Sequence, residues 1–183
     1  MADKLILLAE VETPLARVAS LTRSLRELGL TGEPFHLDGH THYRAGERFL
    51  ELVTFLGCSP RVVLDPDAGE DFCHIRIHAS ETTRRLGRPR FNPPRCPACR
   101  KHRIRDGDTI LERWENDRNR LWTCPSCGAS MPPPAIDWRH GAGFGNLFIE
   151  IWGIQPELAV PGETLWHHLR AACPAGWDYL FSE

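Results

Sequence analysis

Two near-copies of one phrase stand out: RCPACRKHR at residues 95–103 and LWTCPSCGA at 121–129. Each contains Cys-Pro-x-Cys, with Cys96 and Cys99 in the first and Cys124 and Cys127 in the second. Two residues between cysteines let a tight turn aim both sulfurs at one point. The proline after each first cysteine, and Gly128 after Cys127, suit such a turn. Two such clamps supply four soft thiolate ligands, the set that zinc takes in its tetrahedral structural sites at about 2.3 Å per bond. Four thiolates fill that shell and leave no place for a water, so the pattern implies a structural ion and not a catalytic one. A redox dithiol of the thioredoxin kind would open a helix after a strand, and would occur once. The other cysteines, Cys58, Cys73 and Cys173, have no metal spacing and read as ordinary buried thiols. Seven cysteines is an odd number, and a secreted disulfide scaffold would be shorter and more evenly cross-linked.

The two pairs are separated by 24 residues. DTILERW and NRLWTC read as two strands of a hairpin turning at the polar ENDR, which would bring the second pair back beside the first. On these residues, about 94–129 resembles a zinc ribbon. The domain organisation that follows is an inserted ribbon over 93–129 in a host made of 1–92 and 130–183. Zinc ribbons often serve nucleic-acid machines, so the resemblance adds nucleic acid to the partners worth weighing.

Basic residues crowd the first pair. Arg84, Arg85, Arg88, Arg90, Arg95, Arg100, Lys101, Arg103 and Arg105 make nine of the 22 lysines and arginines, with no acidic residue between 82 and 105. Phe91 lies within this run, and Trp114 and Trp122 follow. Cations beside aromatic rings can bind phosphate and stack bases. Two plainer roles compete. Four thiolates on a divalent ion leave about two negative charges that nearby cations would offset, and a basic edge also fits an acidic protein surface. With a net charge of −2 for the whole chain, any nucleic-acid contact must be local. An acidic protein partner is the primary expectation, and nucleic acid the alternative.

A third chemistry is offered by histidine. His36, His40 and His42 stand with Asp38 inside seven residues, and in FCHIRIHA strand alternation puts His74, Arg76 and His78 on one face. The second set is a polar stripe that could hold an anion. If His40, His42, His74, Arg76 and His78 converged, they could line a ligand site or a hydrolase-type centre. Read singly, they are solvated loop and sheet-face residues. Glu150, between Phe148 and Trp152, is a carboxyl with a raised pKa, one partner of a salt bridge to an arginine, or an edge residue facing water. No HExxH frame, no G-x-S-x-G and no phosphate loop G-x4-G-K-[ST] occurs. GAGFG runs into a strand and not from a strand into a helix, which does not fit dinucleotide binding.

The elements that would carry these residues follow from hydrophobic period. KLILLAE (4–10) reads as a buried strand. Thr13-Pro14 starts a helix whose Leu15, Val18, Leu21, Leu25 and Leu28 recur at helical spacing, and Gly29 ends it. Residues 31–46 read as loop, 47–56 as strand, and RVVLD (61–65) and FCHIRIHA (72–79) as strands. Residues 80–95 and MPPPAID (131–137) read as linkers. GAGFGNLFIEIWGI (141–154) gives a Gly-rich loop and a central strand, PGETLWHHLRAAC (161–173) a helix, and WDYLF (177–181) a closing strand. The resulting order, β-α-β-β-β, insert, β-α-β, predicts an α+β fold. Its sheet is mainly antiparallel with two helices on a split, ferredoxin-like plan.

YRAGERFLELVTFLGCSP together with LWHHLRAACPAGWDYLF resembles a family of short bacterial proteins, some of which carry a transporter-ATPase label. The resemblance spans most of the chain and implies no catalytic residue. With 42% hydrophobic residues the chain can bury a real core. No apolar run reaches the roughly 20 residues of a membrane span, and the apolar stretch after Lys4 is too short for a signal peptide. The expectation is a soluble cytoplasmic zinc protein that binds a protein partner.

Overall fold

A computed structural model describes residues 3–57, 62–68, 72–88, 92–154 and 159–182. The chain forms two compact units, Met1–Arg84 with Gly145–Glu183, and Arg85–Phe144. The chain is thus α+β, with four helices among the described residues and a mainly antiparallel six-stranded sheet.

The first strand, β1 (Lys4–Ala9), is buried along five of its six residues. Such a run must be covered on both faces and flanked on both edges. Accordingly β1 pairs antiparallel with β8 (Ala142–Trp152) on one side and with β10 (Asp178–Ser182) on the other. Helix α1 (Pro14–Leu28) begins with proline at its first position, where the missing N–H is not needed, and ends at Gly29 in the left-handed conformation. Leu21 and Leu25 are the buried members of the expected apolar set, while Leu15 is exposed.

Residues 31–46 are not a loop. They form the hairpin of β2 (Thr31–Leu37) and β3 (His40–Ala45). Its turn is the two-residue Asp38-Gly39, with φ of 50° and 75°. Both residues need positive φ in the turn type whose twist matches paired strands, and Asp-Gly is the dipeptide that supplies it. The 47–56 segment, expected as one strand, splits into one turn of helix, α2 (Phe49–Leu52), and a short strand β4 (Val53–Phe55) paired with β9 (Ala159–Pro161). Both pieces keep Phe49, Leu52 and Val53 in the core. In RVVLD, Arg61 lies outside the described residues and 62–65 has no strand; Val63 only accepts one backbone bond, from Cys73. Strand β5 (His74–Gly87) runs on through 80–87, where a linker was expected. Helix α4 (Glu163–Ala172) lies where the sequence placed it.

The sheet order is β10-β1-β8-β5-β3-β2. Its first four strands, with α1 after β1 and α4 after β8, follow the split β-α-β order, and the β2–β3 hairpin extends the sheet beyond β5. Leu5, Leu7, Ile75, Leu147, Ile149 and Ile151 from one sheet face share a core with Leu21 and Leu25 of α1 and Leu165 and Leu169 of α4.

The second unit departs most from expectation. DTILERW is not a hairpin strand but part of helix α3 (Gly107–Asn116). Ile110, Leu111 and Trp114 are buried at helical spacing, Asp108 sits in the first turn and Arg113 in the last, where each charge suits the helix dipole. The only strands between the cysteine pairs and just beyond them are β6 (Trp122–Thr123) and β7 (Ser130–Met131), paired with each other. MPPPAID holds a 3₁₀ turn at Pro133–Ala135. It delivers Ile136 and Trp138 to a small core with Ile104, Ile110, Leu111 and Ala142.

Candidate metal centre

The two Cys-Pro-x-Cys phrases form matching turns. In the first, Arg100 N–H donates to Cys96 O at 2.8 Å; in the second, Gly128 N–H donates to Cys124 O at 2.8 Å. The residue after each second cysteine is left-handed, Arg100 with φ of 55° and Gly128 with φ of 72°. Each turn caps a short antiparallel pairing. Around the first, Cys96 N–H bonds His102 O, Ile104 N–H bonds Pro94 O, and Arg95 bridges both Arg103 and Asp137. Around the second, Cys124 N–H bonds Ala129 O beside the β6–β7 pair. The expected hairpin between the pairs is therefore replaced by two hairpins, one beneath each turn, with α3 between them.

The four sulfurs converge. Cys96, Cys99, Cys124 and Cys127 place their Sγ atoms within 4.8 Å of one another. Cys96 and Cys127 stand 3.8 Å apart and Cys99 and Cys124 3.9 Å apart. A tetrahedron with bonds of about 2.3 Å has an edge of about 3.8 Å, whereas a disulfide holds its sulfurs at about 2.05 Å. The cluster fits a bound metal ion and not two cross-links, and all six described cysteines are free. His102 Nδ1 and Ser126 Oγ, 3.1 Å apart, join the two turns beside the sulfurs. Spacing rules do not find this contact, because neither residue is a ligand.

The thiols are not alike. Backbone N–H groups of His102 and Lys101 point at Cys99 and draw its pKa down to about 6. The Ala129 N–H favours the Cys127 thiolate, yet lost hydration and hydrogen bonds with the other three sulfurs push that thiol up to about 11. Without an ion the cluster thus ionises stepwise, and a metal must displace protons to enter.

Of the nine basic residues, Arg84 is exposed on the first unit. Arg90 and the neighbouring Phe91 lie outside the described residues, as does Cys58. In the second unit Arg88, Arg100, Lys101, Arg103 and Arg105 are exposed, and Arg85 and Arg95 are half-buried. Arg85 Nε donates to Glu115 at 2.9 Å and, first among the causes, holds that carboxyl below its ordinary range. Arg100, Lys101, Arg103 and Arg105 form no ion pair among the described residues. Trp114 is buried against Phe144, whereas Trp122 is half-buried near His102 at a ring distance of 6.1 Å.

The histidines divide. His42 and His74 are buried with ring centroids 4.9 Å apart. Arg76 and His78 lie on the same face and are half-buried, while His36, His40, His140 and His167 are exposed. His168 meets Ser24 at 2.7 Å. His42 is lowered from 6.5 to about 4, first by burial, then by the charges of His74 and Arg76. Glu150 is buried and is one partner of an ion pair, but with a lysine in place of the expected arginine. Lys4 Nζ lies 3.0 Å from Oε1, with His78 Nε2 at 3.6 Å. Burial alone would raise the carboxyl, yet His78 and Lys4 outweigh it and bring it down to about 2. Lys4 was missed because it stands at the strand's end; alternation with Ile6 and Leu8 would have put it on this face.

No helix among the described residues is long and apolar enough to cross a membrane. No protein-family model, no curated protein and no solved structure matches the chain.

Proposed function

We propose that this chain is a cytoplasmic binding or adaptor protein whose second unit is held by a structural zinc ion and contacts an acidic protein partner. The observation that carries the reading is the cluster of the Cys96, Cys99, Cys124 and Cys127 sulfurs, all within 4.8 Å of one another, with two of the pairs 3.8 and 3.9 Å apart. Zinc is the metal favoured by four thiolates in that geometry. All four ligands come from the protein, so the ion supplies rigidity and a local charge, and no position for a reacting water. Free thiols throughout the described residues agree with a reducing compartment.

The basic residues supply the contact. Arg100 and Lys101 follow the first turn directly, and Arg103 and Arg105 continue along the same segment, all exposed. The turn hydrogen bonds fix their backbone, so less ordering entropy is lost on binding than for a free basic tail. A second reading, nucleic-acid association, is favoured by the half-exposed Trp122 and by Leu121, 58% exposed, on the neighbouring hairpin.

The test has two stages. Metal analysis of protein purified without added zinc should give one zinc per chain, and X-ray absorption should show four sulfur neighbours at about 2.3 Å. Binding of a fluorescent polyglutamate peptide is then compared with that of a single-stranded oligonucleotide of equal charge. The peptide should bind more tightly, and Arg100→Ala, Lys101→Ala and Arg103→Ala together should abolish the difference. A metal-free, folded protein removes the reading. Preference for the oligonucleotide, with a salt slope that flattens in the triple variant, replaces it with the second.

A further inference from the structure

The two Cys-Pro-x-Cys turns present their sulfurs unequally to solvent. Cys96 and Cys124 are 0% and 1% exposed. Cys99 is half-buried, and Cys127 is exposed. Pro125, Ser126 and Gly128 around it are exposed as well. A Cβ at Gly128 would meet nothing within 4 Å, so the turn beside Cys127 is open. A bound divalent ion keeps its coordinating thiols as thiolates, the nucleophilic form. Of four such sulfurs, the exposed one is the first that a small electrophile reaches.

Geometry also selects a partner for Cys127. Its Sγ lies 3.8 Å from that of Cys96, and the Sγ of Cys99 lies 3.9 Å from that of Cys124. Both contacts run between the two turns and not within one. A disulfide holds its sulfurs at about 2.05 Å, so an approach of about 1.8 Å closes the first pair. A circuit of hydrogen bonds keeps Cys96 opposite Cys127. Cys96 N–H donates to His102 O at 3.2 Å. His102 Nδ1 meets Ser126 Oγ at 3.1 Å, and Ser126 is the residue before Cys127.

We propose that Cys127 is a site of oxidation by hydrogen peroxide, with Cys96 as its resolving thiol, and that this oxidation releases the metal. The proposal rests on the zinc reading. The Cys127 thiolate attacks one peroxide oxygen: the S–O bond forms, the O–O bond breaks, and hydroxide leaves a sulfenic acid behind. The Cys96 thiolate then attacks that sulfur: the S–S bond forms, the S–O bond breaks, and a second hydroxide leaves. Two thiolates give up two electrons in all, and one peroxide takes them. Cys99 and Cys124 remain, half of the set that a structural zinc site needs. The second unit thereby loses the ion that orders it, and the basic segment after Cys99 loses its fixed backbone. Since the new bond joins the two turns, reduction returns four sulfurs that are already side by side.

The test uses the full chain, purified without oxygen and assayed for zinc before any oxidant is added. Hydrogen peroxide is then supplied beside a chromophoric zinc indicator. The cysteines are mapped by mass spectrometry with and without dimedone, which traps sulfenic acids. Zinc should be released, dimedone should label Cys127 first, and the untrapped product should carry a Cys96–Cys127 cross-link. A phosphine reductant with added zinc should restore the loaded protein. Cys127→His keeps a zinc ligand in place and removes the sulfur, so release should slow by about tenfold or more. Cys99→His keeps both reacting sulfurs and should stay near the wild-type rate. If either variant fails to load zinc, the wild-type map decides. A chain without zinc at the outset refutes the zinc reading and this proposal with it. Three results overturn this proposal and leave the zinc reading standing: zinc that stays bound through millimolar peroxide, a first label on another cysteine, or a Cys124–Cys127 cross-link in place of Cys96–Cys127.

Discussion

Removing the metal should unfold one unit and leave the other. The second unit's core consists of Ile104, Ile110, Leu111, Ile136, Trp138 and Ala142. Burying each of the larger side chains stabilises by about 1.5–3 kcal/mol. Structural zinc bound by four thiolates contributes roughly 10–16 kcal/mol of apparent free energy, so it equals the whole of that apolar gain. Chelation therefore takes away about half of what favours order in this unit, and raises the thiolates' mutual repulsion besides. The first unit has a core three times as populous, from Leu5 to Cys173, and no share in the site. The assay is hydrogen exchange read by mass spectrometry, before and after a strong chelator. Peptides spanning Cys96–Cys99, α3 and Trp138 should lose protection completely, while those spanning β1 and α4 keep it. Zinc, added back, should restore the first set. Undiminished protection of α3 in the metal-free protein would refute the reasoning, because the small core would then suffice alone.

Gly128 is left-handed with open space where a Cβ would go, so Gly128→Ala costs only its backbone strain, about 1–2 kcal/mol; competition with a chromophoric chelator should show zinc affinity several-fold weaker. Arg100→Gly, at the matching position, should hold zinc at least as well in the same competition. For His42, a folded pKa of about 4 against 6.5 means that the unfolded chain binds the proton more readily. Its contribution is complete above pH 6.5 and is lost as pH falls toward 4, about 2 kcal/mol of it by pH 5. Exchange protection of β1 at pH 7 and pH 5 measures this, and His42→Gln should flatten the difference. Glu150→Gln strands Lys4 beside Trp152 and should destabilise the first unit by about 3 kcal/mol, the low end for breaking a buried pair. Urea denaturation followed through a β10 probe reads it, and Lys4→Met in the same background should recover part of the loss.

Spacing alone pointed to the four-cysteine cluster. Two residues between cysteines suit a tight turn, and the phrase written twice argues against a single redox helix, so the sulfur cluster was legible before any fold was known. The same holds for β1, α1, β8 and α4, whose apolar period leaves one choice, and for the face shared by His74, Arg76 and His78. The Asp38-Gly39 turn was equally local and was passed over because the strands around it are polar. Tertiary structure decided the rest. DTILERW has β-prone residues, and became a helix because Ile110 and Leu111 meet Ile136 and Trp138 from about 25 residues away, with Trp114 packed on Phe144. Residues 80–87 look like linker, and continue β5 as strand. The meeting of His42, Arg76, Glu150 and Lys4 depends on the register of four strands far apart in the chain, and register is fixed by which faces are buried together. No window of sequence contains that information.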